Sequence, residues 1–104
     1  MNRQSLLKRV KETVHEIEPG AKIILYGSRS RGEAAKDSDW DFLILIKRPT
    51  EYQLIEKIRN HLYDIELQSN EIISSIIRNH AEWDSPKFMC TTFYKNVSKE
   101  GIVL

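Results

Sequence analysis

The sequence predicts a single α/β domain built round one small sheet, residues 1–104, and three observations lead there. Residues 2–18 carry apolar side chains at helical spacing, and two short apolar runs bounded by turn residues read as strands. The third is length. A chain of 104 residues buries about two-thirds of its unfolded surface. That allows one sheet and a few helices but no separate substrate-recognition domain, so a partner chain is the natural source of anything more.

Each element has its own signal. Leu6, Leu7, Val10, Val14 and Ile17 mark the first helix, which Pro19-Gly20 ends. Lys22 to Tyr26 is a short buried strand, and Ser30 to Lys36 a short helix or helical turn. Trp40 to Ile46 is the second strand, stopped by Lys47-Arg48-Pro49-Thr50. Glu51 to His61 is a helix with Leu54, Ile55, Ile58 and Leu62 on its buried side. From Tyr63 to Gln68 the pattern alternates, which predicts a third strand with Asp64, Glu66 and Gln68 on one face. From Glu71 to Arg78, Ile72, Ile73, Ile76 and Ile77 also match a helical period, but the β-branched density favours a fourth strand, paired to the third across Ser69-Asn70. A helix over Thr91 to Lys99 and an apolar anchor, Ile102-Val103-Leu104, close the chain.

Composition narrows the function classes. Sixteen basic and fifteen acidic residues leave a net charge of +1, so no broad field favours DNA or an anionic membrane. The lone Cys90 excludes an internal disulfide and a cysteine-based zinc site, and reads as a small apolar filler in a reducing compartment. His15, His61 and His80 have no ligand spacing. The longest apolar run, Phe42 to Ile46, is far too short to span a bilayer. No apolar stretch follows the basic N-terminus, so the expected location is the cytoplasm.

Chemistry concentrates between residues 27 and 41. Gly27 and Gly32 let the main chain approach a ligand closely, and turn amides with the Ser28 hydroxyl offer donors to a phosphate. Arg29 and Arg31 are candidates to neutralise a triphosphate, with Lys36 and Lys47 as weaker ones. Asp39 and Asp41, two apart at a strand, project to one face, and two such carboxylates repel unless a cation sits between them. Magnesium suits oxygen ligands of this kind. A third carboxylate from a neighbouring strand would complete a site for two ions, with Asp64 the first candidate and Glu66 the alternative. Trp40, between the acids, faces the core. Trp83, Phe88, Phe93 and Tyr94 read as core aromatics rather than a nucleobase platform.

The string Gly27-Ser28-Arg29-Ser30-Arg31-Gly32 followed by Ser38-Asp39-Trp40-Asp41 resembles the signature of the polymerase-beta-like nucleotidyltransferase superfamily. The length is similar to that of the minimal nucleotidyltransferases, which are often encoded beside a HEPN-type helical protein. The late Phe93-Tyr94-Lys95-Asn96-Val97 and Glu100-Gly101 belong to the same resemblance. It implies a small mixed sheet with helices packed on one face. It also implies that Gly27 and Ser28 hold the triphosphate of ATP, and that Asp39 and Asp41 bind two magnesium ions. The third family carboxylate, which helps deprotonate the attacking hydroxyl, matches Asp64 best. The implied function is an antitoxin that moves AMP onto a hydroxyl of its HEPN-type toxin partner. Two alternatives stand beside it: a small-molecule, aminoglycoside-type nucleotidyltransferase, and a non-catalytic module that neutralises a partner by contact.

Overall fold

The computed structural model describes residues 1–104. Helix α1 (Arg3–Ile17) starts from Asn2, whose side chain accepts from the Ser5 amide while the Ser5 hydroxyl answers the Asn2 amide, a reciprocal cap. Strand β1 (Lys22–Tyr26) runs into a one-turn helix α2 (Ser28–Arg31), and β2 (Trp40–Ile46) returns antiparallel to β1, with Tyr26 opposite Asp41.

Helix α3 (Tyr52–Ser69) is longer than its sequence pattern suggests and absorbs the strand expected over Tyr63 to Gln68. Leu54, Ile58, Leu62 and Ile65 form one buried stripe at helical spacing. Leu67, which the alternating pattern would bury beside Ile65, is 66% exposed. The Ser69-Asn70 pair is no hairpin. Asn70 takes the left-handed conformation (φ 58°) and its amide donates to the Glu66 carbonyl, closing the helix.

Strand β3 (Ile73–Asn79) therefore pairs parallel to β2, not to a preceding strand. Parallel neighbours need a long crossover, and α3 supplies it. After β3 come three short helices, α4 (His80–Trp83), α5 (Pro86–Met89) and α6 (Thr92–Glu100). Strand β4 (Ile102–Val103) then pairs antiparallel with β1. The sheet is mixed, in the order β3-β2-β1-β4. In the terminal anchor, Leu104 packs against the main core, while Ile102 and Val103, 40% and 57% exposed, hold on through backbone pairing.

Alternation along β2 divides the core. Trp40, Phe42, Ile44 and Ile46 pack with α1 and α3 on one face, the helical layer that the resemblance implies. Leu43 and Leu45 join Ile24, Trp83 and Val97 on the other, where α4 and α6 form a second, smaller layer. Trp83 is buried, with Tyr94 and Phe88 tilted against it and Phe93 meeting it edge-on, and Phe93 also meets Tyr26 edge-on at 5.2 Å. Phe93 and Tyr94 pack half-buried against this smaller cluster, and Phe88 stays half-exposed at its margin. Cys90 is not a filler: it is exposed, with its thiol donating to the Lys87 carbonyl. No helix is long and apolar enough to cross a membrane.

Candidate functional site

Because Trp40 and Phe42 face the main core, Asp41 between them faces the opposite side of the sheet, at the end of β2 nearest the β1–α2 turn. Gly27 in that turn has φ 76° and ψ −161°, a region open only to glycine. A Cβ built there would lie 2.5 Å from Asp41 Oδ2. The main chain of the turn is thus pressed directly against the carboxylate. Gly32 (φ 73°) caps α2 in the left-handed region, with open space round it. The Ser30 hydroxyl donates to the Gly27 carbonyl at 2.7 Å and stiffens the turn, while Ser28 sits half-buried at its first helical position.

Partial burial, and then the charge of Asp39, push the Asp41 carboxyl above its ordinary value. The same burial and the Asp41 charge push the Tyr26 hydroxyl, on the adjacent strand, up to about 12. No ion pair of the molecule involves Asp39 or Asp41. Two neighbouring carboxylates, one half-buried and neither matched by a cation of the chain, favour a metal-bound phosphate over a bare one.

The two arginines of the turn have separate roles. Arg29 points away from the acids: its guanidinium lies 4.4 Å over the Trp40 ring, donates to the carbonyls of Lys36 and Ser38, and pairs with Glu71 at 3.6 Å. It clamps the loop that delivers Asp39. Arg31 stays at the turn, paired with Glu100 at 2.8 Å and with Glu33 at 3.1 Å. Lys47 lies beyond the far end of β2, against Gly20.

Sequence reasoning assigned no role to Glu100. Its Oε1 accepts from the Gly27 amide at 3.2 Å, and Arg31 holds its carboxyl below the ordinary value. The end of α6 is therefore tied to the turn. The only hint in the sequence was the Glu100-Gly101 pair.

The expected third carboxylate is not brought to the acids. Asp64 is exposed on α3, in a cleft between α1 and α3 that Arg9, Glu12 and His61 also line. That cleft lies on the helical side of the sheet, away from Asp41. Glu66 lines a different cleft, along the outer edge of β3 with Ser74 and Ser75. Nowhere do three or more His, Cys, Asp or Glu side chains assemble into a metal-holding group. Asp39 and Asp41 with phosphate oxygens fit one magnesium ion, which needs only one or two carboxylates from a protein. No cleft is lined by either acid, so turn and carboxylates form an open face.

Comparison with known proteins places the chain in a family. The family model described as a nucleotidyltransferase domain matches residues 7–103. No curated protein matches the chain. Among solved structures, one described as a toxin–antitoxin with AMP-PNP superposes with a TM-score of 0.64 at 15% identity, over 92% of this chain and 69% of the other. A second, a mutant of the toxin–antitoxin pair MntA–HpeT, gives a TM-score of 0.60 at 14% identity, over 99% of this chain and 72% of the other. At such identities the likeness is one of fold. The family match, running through both the glycine turn and the acidic pair, makes this chain a member of the nucleotidyltransferase domain family.

Proposed function

We propose that the open face formed by Gly27, Ser28, Asp39 and Asp41 binds ATP with magnesium and transfers AMP to a hydroxyl of a partner toxin of HEPN type, so that the chain acts as an antitoxin. The observation that carries the reading is the contact between the Gly27 backbone and the Asp41 carboxylate. It sets the glycine turn beside the oxygens that a cation needs. Solved toxin–antitoxin complexes of the same fold, one of them with AMP-PNP, support the nucleotide and the kind of partner. A face without an enclosing cleft suits an acceptor presented by another protein better than a small molecule.

In this reading the Gly27–Ser28 turn orients the triphosphate, and Asp39 with Asp41 hold the ion, which supplies charge neutralisation on the phosphates. The acceptor oxygen bonds to the α-phosphorus, the bond from that phosphorus to the β-bridging oxygen breaks, and pyrophosphate leaves with the electron pair. The hydroxyl proton passes to water, since no third side-chain carboxylate faces the acids. Positioning of the phosphates and exclusion of misaligned poses are what this chain contributes.

Intact-mass measurement on the protein encoded beside this one, mixed with the chain and ATP-magnesium, is the test. A gain of one or more AMP units, absent with Asp39→Asn, is the expected result; an unchanged mass in the presence of a stable complex refutes transfer. That second outcome would leave a module that holds nucleotide and neutralises by contact, a reading favoured by the absence of an acid on β3 beside Asp41, where the register places Ser74.

A further inference from the structure

Asp41 has two lateral neighbours in the sheet: Tyr26 on β1 and Ser74 on β3. Ser74 shares its face, because Ile73 on one side of it packs into the main core while Ile76, two residues on, packs with Leu43 on the Asp41 side. Adjacent strands lie about 4.8 Å apart, so a carboxylate at position 74 would meet that of Asp41 directly. Neither neighbour is acidic. The next carboxylate round the turn, Glu100, is bound to the Gly27 amide and Arg31.

We infer that this site holds a single divalent cation, the one carried by the nucleotide, and that Ser74 occupies the place where a third carboxylate would recruit a second. The inference rests on the nucleotide reading above and sharpens it. Two ions about 3.5–4 Å apart stabilise both the attacking and the leaving oxygen. One ion on the triphosphate serves binding and the leaving pyrophosphate, and leaves the attacking hydroxyl without a metal of its own. The chain alone is then a good holder of nucleotide and a slow transferase. A serine in place of the acid also spares the metal-free protein a third like charge at Asp39 and Asp41.

Equilibrium dialysis with manganese(II) and an ATP analogue bridged by an α,β-methylene group counts both components per chain. The wild-type protein should retain manganese and nucleotide at one to one, and Ser74→Asp at two to one. Ser74→Asn, similar in size to aspartate but uncharged, should stay at one to one. In EDTA the melting temperature of Ser74→Asp should fall below that of Ser74→Asn, and manganese should remove the gap. Two manganese ions per nucleotide on the wild type would overturn the inference while leaving the nucleotide reading intact. One per nucleotide on Ser74→Asp, with that variant folded, would overturn the role given to Ser74. Absence of nucleotide binding by the wild type would overturn the nucleotide reading and, with it, the inference.

Discussion

Replacing Gly27 by alanine puts a methyl group 2.5 Å from Asp41 Oδ2, where ordinary van der Waals contact begins near 3.4 Å. The carboxylate or the turn must yield by about 0.9 Å, the difference between those two distances. The backbone angles add a separate cost, because φ 76° with ψ −161° is strained for any residue with a Cβ, by about 1–3 kcal/mol. For a domain of this size each kcal/mol moves the melting temperature by roughly 4–8 °C, so the backbone strain alone should lower the melting temperature of Gly27→Ala by roughly 4–24 °C, and the clash adds to that. Gly32→Ala is the control. Gly32 also has a positive φ, but nothing lies within 4 Å of its Cβ position, and the cost there is backbone strain alone, about 1–2 kcal/mol. Thermal unfolding and nucleotide titration of the two variants together separate the effects. Gly27→Ala, with both strain and clash, should lose more stability and more nucleotide affinity than Gly32→Ala, which carries backbone strain alone. Equal behaviour of the pair, or wild-type affinity in Gly27→Ala, would refute the placement of the turn against Asp41.

Asp41→Asn removes the repulsion with Asp39 from a half-buried site; in EDTA it should melt above the wild type, and with magnesium it should fail to bind nucleotide, as functional sites often trade stability for binding. Glu100→Gln tests the tie between α6 and the turn. Arg31 holds the Glu100 carboxyl below its ordinary value, so the ion pair stabilises the fold at neutral pH and is lost as the pH falls below the ordinary carboxylate range, through the lower folded value. Melting curves should show Glu100→Gln destabilised at pH 7, with the gap to the wild type closing in acid; a gap independent of pH would contradict the assignment. Arg29→Lys keeps the charge but loses the stack on Trp40 and the fork on the Lys36 and Ser38 carbonyls. Urea denaturation should show a loss of about 1–3 kcal/mol, and no loss would remove Arg29 as the clamp of the loop.

The parts of this molecule that depend on near neighbours were legible in the sequence. Strands β1 and β2, the turn between them and the pairing of Asp39 with Asp41 all lie within twenty-five residues, from Lys22 to Ile46. The first helix and the last were equally local. What failed depended on distance along the chain. Six alternating residues, Tyr63 to Gln68, satisfy a strand pattern, yet only Ile65 among the apolar ones is buried, and it continues the stripe of α3. With that segment helical, Asp64 leaves the sheet and β3 passes to β2 in parallel. The register that sets Ser74 beside Asp41 follows from a crossover of more than twenty residues, and no local signal encodes it. The partners that Arg29 and Arg31 take also lie far along the chain or on other elements: Trp40, Ser38 and Glu71 for Arg29, and Glu100 for Arg31.

The most direct measurement is an amide NMR titration of the isotope-labelled chain, 12.2 kDa in mass, with ATP-magnesium. The expected result is a set of shifts centred on residues 26–32 and 39–41, abolished by EDTA and by Asp41→Asn. Shifts centred instead on the α1–α3 cleft round Asp64, or shifts that persist without magnesium, would contradict the assignment of the Gly27–Asp41 face as the nucleotide site.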